Sequence, residues 1–283
     1  MKRRDFLKAL IAVTIGGGPV PKVMAEMTRI AYSRTPESHD KYIKDYLHKM
    51  RNFNKHYGED VCLDREGYQL LKLSVQRLRR LQRTVGYGNF YLVNFDDALK
   101  IGRNYPRVGR FSKKELDFLQ MIFYEDAAYY GFLGEKPLQD LTARIPRREV
   151  VKVPYTGNYL YRGLPLETYK KIKRDVGERA ILTSGVRSVM KQFYLFLNKA
   201  YRSKGNLSMA SRSLAPPGYS FHGIGDFDVG QVGFGIANFS ARFTTTEVYK
   251  KLKGLGYVEI RYPRDNRLGV RFEPWHIKVN SKV

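Results

Sequence analysis

A single cysteine, Cys62, and a single tryptophan, Trp275, stand among the 283 residues. One cysteine excludes an intramolecular disulfide framework and any cysteine-rich zinc knuckle. Acidic residues are also scarce: 27 Asp and Glu face 51 Lys and Arg, for a formal net charge of +24. Such an excess points to a polyanionic partner, whether nucleic acid, an anionic membrane or an anionic cell wall, and charge alone does not choose among them. No stretch offers the run of about 18 apolar residues that a membrane helix needs. Against these absences stand 43% hydrophobic and 13% aromatic residues, enough to build a core and to exclude wholesale disorder. The length suits one large domain or two modest ones.

The start of the chain reads as a targeting segment. Met1-Lys2-Arg3-Arg4-Asp5-Phe6-Leu7-Lys8 is basic and carries a twin arginine, and a mildly apolar, glycine-rich stretch runs from Ala9 to Gly18. Val23-Met24-Ala25 then offers small residues for a signal peptidase. The arrangement resembles a bacterial twin-arginine (Tat) export signal, which carries folded proteins. Its removal takes five basic residues and one acid, so the mature chain keeps +20. A periplasmic or extracellular location is the expectation, with the lone thiol unpaired and stability supplied by the core, helped by a metal.

Residues 1–25 are therefore expected to be a signal peptide, 26–148 a mostly helical region and 149–283 a second domain. In the helical region Leu71, Val75, Leu78 and Val85 recur at helical spacing, with Arg77, Arg79, Arg80 and Arg83 falling largely between them. Such a stripe could grip phosphates, but ordinarily it is a solvated face. Ser112 and Glu115 make a capping box, and Tyr129, Tyr130 and Phe132 read as core. After Ile145-Pro146 the texture changes to short β-like runs broken by glycine and proline. Ala180–Thr183 reads as a strand, Val186, Met190, Tyr194 and Leu197 as a helix, and 204–220 as a loop. Thr244 and Glu247 read as a second capping box, and 256–262 and 268–279 as two closing strands. Helices interleaved with short strands, without regular crossover spacing, predict an α+β fold.

Of five histidines, His39, His48 and His56 lie in a charged helical region and read as surface residues. His222 sits in Ser220-Phe221-His222-Gly223-Ile224-Gly225-Asp226-Phe227-Asp228, where the two aspartates share one face if the segment is a strand. His276 ends Glu273-Pro274-Trp275-His276, where the proline permits a bend that aims Glu273 and His276 at one point. Two imidazoles and one carboxylate make an open three-ligand zinc site, and a further carboxylate can take a proton from the metal's water.

Ser184-Gly185-Val186-Arg187-Ser188, Ser220-x-His222-x-x-Gly225 with its aspartate, Arg261-Tyr262-Pro263 and Glu273-Pro274-Trp275-His276 together resemble the zinc D-alanyl-D-alanine carboxypeptidases. These are metallopeptidases of the Hedgehog/DD-peptidase fold and include the vancomycin-resistance carboxypeptidases. The resemblance covers about 180 to 279 and implies an antiparallel sheet with flanking helices. It makes His222 and His276 Zn2+ ligands and Glu273 the general base. Arg187 would steady an oxyanion or a substrate carboxylate. Ser184, Gln192 and Ser220 fall at polar positions near the substrate pocket or its loop. The family's aspartate stands seven residues after the first histidine, where this chain has Val229. A one-residue deletion in the glycine-rich turn favours Asp228 as third ligand, with Asp226 as the alternative.

The implied activity is removal of a terminal D-alanine from peptidoglycan stem peptides, in contact with the anionic cell wall. The alternatives are L,D-carboxypeptidase or endopeptidase cleavage, or a zinc-containing wall-binding module without catalysis, against which Glu273 argues. No nucleic-acid partner is expected, since no motif for one is present.

Overall fold

The computed structural model describes residues 36–279, so the export segment lies outside the described residues. Residues Lys49–Val283 group as one compact unit, and residues up to His48 as another whose described part is helical. The change of texture near residue 148 falls inside the larger unit.

Four helices come first: α1 (Pro36–Arg51), α2 (Arg65–Val85), α3 (Phe95–Asn104) and α4 (Lys113–Tyr124). Helix α2 starts where the Asp64 carboxylate accepts the Gly67 amide, and Leu71, Val75, Leu78 and Leu81 form its buried stripe. The Ser112–Glu115 capping box opens α4 as the sequence predicts, with both reciprocal hydrogen bonds present. Arg77 departs from the solvated-face expectation. It forms a two-pronged ion pair with buried Glu115 and donates to the Val108 carbonyl, tying α2 to α4. Tyr130 and Phe132 are core, whereas Tyr129 is exposed.

A hairpin of β1 (Val150–Lys152) and β2 (Tyr159–Tyr161) leads into α5 (Leu164–Val176), β3 (Ala180–Ser184), α6 (Val189–Arg202) and α7 (Leu207–Ser211). Then come β4 (Phe227–Gln231), α8 (Glu247–Lys253), β5 (Glu259–Ile260) and β6 (His276–Lys278). Strands β3, β4, β6 and β5 lie side by side in that order, all antiparallel. The result is a mixed α+β fold.

Two cores hold it. Helices α2, α4 and α6 share one, through residues such as Leu78, Ile122 and Phe196. The other lies under one face of the four-stranded sheet, where Leu182, Phe227, Val229 and Ile277 meet Ile172 of α5 and Leu252 of α8. At about 1.5–3 kcal/mol for each large apolar side chain fully buried, this second core fixes which way β4 faces. With Phe227 and Val229 turned inward, Asp226 and Asp228 must turn to the other side.

Several local expectations are corrected. The predicted 204–220 loop contains α7, capped by the Asn206 side chain on the Met209 amide. The cap of α8 is Thr246, which accepts from Tyr249, not Thr244. Val186 is buried ahead of α6 rather than within it. The closing strands shrink to 259–260 and 276–278. Before 276 the regular ladder breaks: Pro274 has no amide hydrogen, and Leu268 instead accepts from Leu133.

Candidate metal centre

Sheet register assembles the site. Asp228 pairs with His276 on one side and Ser184 on the other. Ser184 would share the inward face of Leu182, but an irregularity between them advances β3 two residues against one of β4. That bulge moves Ser184 to the aspartate side.

His222 lies in a short helical turn, Phe221–Gly223, and is 1% exposed. Its Nδ1 is 2.8 Å from the Gly185 carbonyl, so Nδ1 carries the hydrogen and Nε2 presents a lone pair. Gly185 is required for that carbonyl's position. A Cβ there would lie 1.9 Å from the Tyr159 carbonyl oxygen, which accepts the Val186 amide at 2.8 Å. His276 is oriented the opposite way round: its Nε2 donates to Asp226 Oδ2 at 3.0 Å. Its Nδ1 faces Glu273 Oε2 at 3.2 Å and Asp228 Oδ1 at 3.6 Å. Glu273 reaches this point because 273–276 is a turn, closed by the His276 amide on the Glu273 carbonyl at 3.1 Å. The expected bend at Pro274 thus takes the form of a tight turn.

Two buried polar atoms in this group lack a hydrogen-bond partner, His222 Nε2 and Asp228 Oδ1, and they lie 3.3 Å apart. Buried polar atoms without partners are costly and call for an explanation. One ligand atom each from His222, Asp228 and His276 falls within 4.8 Å of the others. A borderline cation with a tetrahedral habit satisfies all three, and the donor set is that of an open zinc site.

The electrostatics agree. Burial, reinforced by the Arg187 charge, lowers the His222 pKa, so its imidazole is neutral and able to ligate. Burial alone would raise the Asp228 pKa, but the Arg187 guanidinium hydrogen-bonded to it works the other way and helps to hold the carboxyl below its usual range. For His276, the carboxylates of Asp226 and Glu273 override burial and raise the pKa to about 9. Its Nδ1 therefore demands a positive charge, as a proton or a metal ion, between it and the acids. Tyr262 stacks edge-on against His276 at 5.0 Å, its phenol pushed up by burial and by the Glu273 charge.

The structure brings together Ser184, Arg187, His222, Asp226, Asp228, Glu273 and His276. Arg187 donates to Ser184 Oγ at 2.8 Å and to Asp228 Oδ2 at 2.7 Å. Asp226 is 1% exposed and is saturated without a metal: it accepts from His276, from both prongs of Arg261 and from the Val279 amide. Gln192 and Ser220 are buried, but neither side chain hydrogen-bonds to the cluster; Gln192 donates to the Ala215 carbonyl. Arg261 and Tyr262 lie in the Arg261-Tyr262-Pro263 motif, yet spacing alone gives them no role. Arg271, two residues before Glu273, escapes notice because a lone arginine in a basic chain carries no signal.

Residues 166–281 match the family model VanY, D-alanyl-D-alanine carboxypeptidase. Among solved structures, a vancomycin-resistance D,D-pentapeptidase VanY from a VanB-type cassette, in complex with Zn(II), is 25% identical. That likeness covers 52% of this chain and 85% of the other, with a TM-score of 0.38. VanYB in complex with D-alanine-D-alanine is likewise 25% identical, covering 52% of this chain and 83% of the other, with a TM-score of 0.40. No curated protein matches.

Proposed function

From a chain whose residues 166–281 match the VanY D-alanyl-D-alanine carboxypeptidase family model, we propose a zinc-dependent hydrolase that removes the terminal D-alanine of peptidoglycan stem peptides. The observation that carries the metal is the pair of buried, unpartnered atoms His222 Nε2 and Asp228 Oδ1 beside His276 Nδ1. His222, Asp228 and His276 would hold the zinc. When bound, it supplies a Lewis acid for the scissile carbonyl and makes its water acidic enough to ionise near neutral pH.

The chain's own groups do the rest. Glu273 accepts the proton of the attacking water on a carboxylate oxygen and passes it to the departing amine. Its Oε2 is 3.2 Å from His276 Nδ1, at the mouth of the ligand set. Arg187 keeps Asp228 anionic and leaves Oδ1 free for the cation, its planar fork suited to a developing oxyanion or a substrate carboxylate. Asp226 fixes the ring of His276 so that Nδ1 points inward. The twin-arginine segment at 1–25 would deliver the folded protein to the wall. Among the described residues no helix is long and apolar enough to cross a membrane.

The test is mass spectrometry of a stem pentapeptide incubated with the zinc-loaded protein, with and without chelator. Chelator-sensitive loss of one D-alanine supports the reading. Cleavage at another bond would redirect it to an L,D- or endopeptidase, and no cleavage by zinc-loaded protein would leave a binding module. Glu273→Ala should keep the metal and lose turnover by about 10²–10⁴-fold, whereas His276→Ala should lose the metal itself.

A further inference from the structure

Each carboxylate of the centre has an arginine. Asp228 has Arg187 and Asp226 has Arg261, both by direct hydrogen bonds. Glu273 has Arg271, but differently: Arg271 Nε lies 4.0 Å from Glu273 Oε1. That is an ion-pair distance beyond hydrogen-bond range. Arg271 Nε is buried with no hydrogen-bond partner. A buried guanidinium donor left idle is expensive, and the nearby acceptor is the carboxylate assigned as general base.

The rest of the guanidinium is fixed in place. It packs over the Trp275 ring at 5.0 Å and the Phe53 ring at 4.5 Å, and Nη2 donates to the Phe239 carbonyl at 3.1 Å. Its main-chain amide donates to the Arg212 carbonyl at 2.9 Å. Arg212 in turn is bolted to the loop after α1. It makes a two-pronged pair with buried Asp60, at 2.6 and 2.9 Å, and donates to the Lys55 and Phe53 carbonyls. A continuous set of contacts therefore runs from 53–60, outside the family-matched segment, through Arg212 and Arg271 to Glu273.

We propose that Arg271 is a positioning residue for Glu273, and that the 53–60 loop of the helical region exists in part to hold it. The guanidinium draws Oε1 toward itself, which leaves Oε2 directed at His276 Nδ1 and the ligand set. Without that tether the carboxylate is free to rotate toward the cation and become a ligand instead of a base. The inference rests on the proposed hydrolase reading.

Two measurements on the full-length protein test it. In zinc-loaded protein, Arg271→Ala should lower kcat about 10²-fold, the scale expected for a misplaced catalytic group, with KM within about twofold and zinc content unchanged. Methylguanidinium in solution should restore part of the loss saturably, which a general packing defect would not allow. In cobalt(II)-loaded protein, Arg271→Ala should shift the visible bands as Glu273 reaches the metal. The shift should vanish when Glu273→Gln is added. Arg271→Lys serves if the alanine variant fails to fold, and should show the same loss of kcat with zinc retained. An unaltered kcat, or an unaltered cobalt spectrum, overturns the proposal. If wild-type protein holds zinc and cleaves nothing, the hydrolase reading fails instead, and the cobalt spectra still decide the role of Arg271.

Discussion

Asp226 and Asp228 share a face and differ by one turn of the strand's repeat, yet their surroundings predict opposite roles, and two isosteric variants separate them. Asp228→Asn removes an anionic donor whose Oδ1 has no partner of its own. Asp226→Asn leaves the three ligand side chains intact and alters the acceptor that orients His276 and pairs with Arg261. Partners of this outer kind typically contribute 10- to 100-fold in metal affinity, or about 1.4–2.7 kcal/mol. Loss of the Asp228 donor should cost more than 100-fold, because a site of three ligands falls to two. The fold responds in its own way. Asp226→Asn leaves Arg261 without its counter-charge, and breaking a buried pair costs about 3–5 kcal/mol. The Arg261 side chain is 13% exposed and stacks over Phe221 at 3.5 Å, which places the loss toward the lower end. Zinc titration against a competing chelator reads the affinity, and thermal melting of the metal-free proteins reads the fold. Near-normal zinc affinity in Asp228→Asn, with abolished binding in Asp226→Asn, would refute the reasoning.

Further outcomes follow from the same geometry. Gly185→Ala forces a Cβ against the Tyr159 carbonyl at 1.9 Å, so the Gly185 carbonyl must move and release His222 Nδ1. Zinc affinity should fall at least tenfold, as chelator competition would show. Arg187→Met should keep zinc, since Asp228 Oδ1 is untouched, while kcat drops about 10²–10³-fold by loss of a cationic group near the reacting carbonyl. Loss of zinc with unchanged specific activity per bound metal would contradict that. Lys191 is buried against Gln82 and three aromatic rings, and burial, with the Arg187 charge second, lowers its pKa to about 8. At this group the unfolded chain therefore binds more protons between about pH 8 and 10.5, so the Lys191 contribution to stability rises with pH across that window. Lys191→Met should melt higher than wild type at pH 7 and lose that advantage by pH 10.5, as scans at both values would check.

How legible all this is from sequence depends on which interactions are local. The Ser112–Glu115 box and the stripe Leu71, Val75, Leu78 are written within one or two helical turns, and the structure repeats them. The parity of Asp226 and Asp228 is equally local, because Phe227 and Val229, which alternate with them, can face only the core. What distinguishes the two aspartates is not local. Arg261 lies 35 positions from Asp226, and Arg187 lies 41 from Asp228. Neither distance leaves a trace in spacing. The same is true of the bulge that turns Ser184 outward, since it exists only against β4. The cap of α8 slipped by two because Thr244, Thr245 and Thr246 are chemically equivalent candidates. All three hydroxyls donate to a carbonyl three residues back, and Thr246 is the one that also accepts a helix amide, that of Tyr249.

The three acid–arginine pairs also bear on the chemistry of the bound ion. With Asp226, Asp228 and Glu273 each facing Arg261, Arg187 and Arg271, the surrounding charges nearly cancel before any metal enters. A divalent ion therefore arrives in a pocket that lacks the surplus negative charge able to neutralise it. Such a site binds more weakly than three bare carboxylates would, but the ion keeps more of its charge in a water-poor setting where charge is little screened. Asp228 shows the compromise within one side chain, since Oδ2 is given to Arg187 and Oδ1 is left open. A hydrolase that must ionise water and stabilise an oxyanion gains from that residual charge. A purely structural or storage site gains nothing from it, because three competing guanidinium groups only lower its affinity. The placement of the arginines thus favours a catalytic role for the centre over passive metal retention.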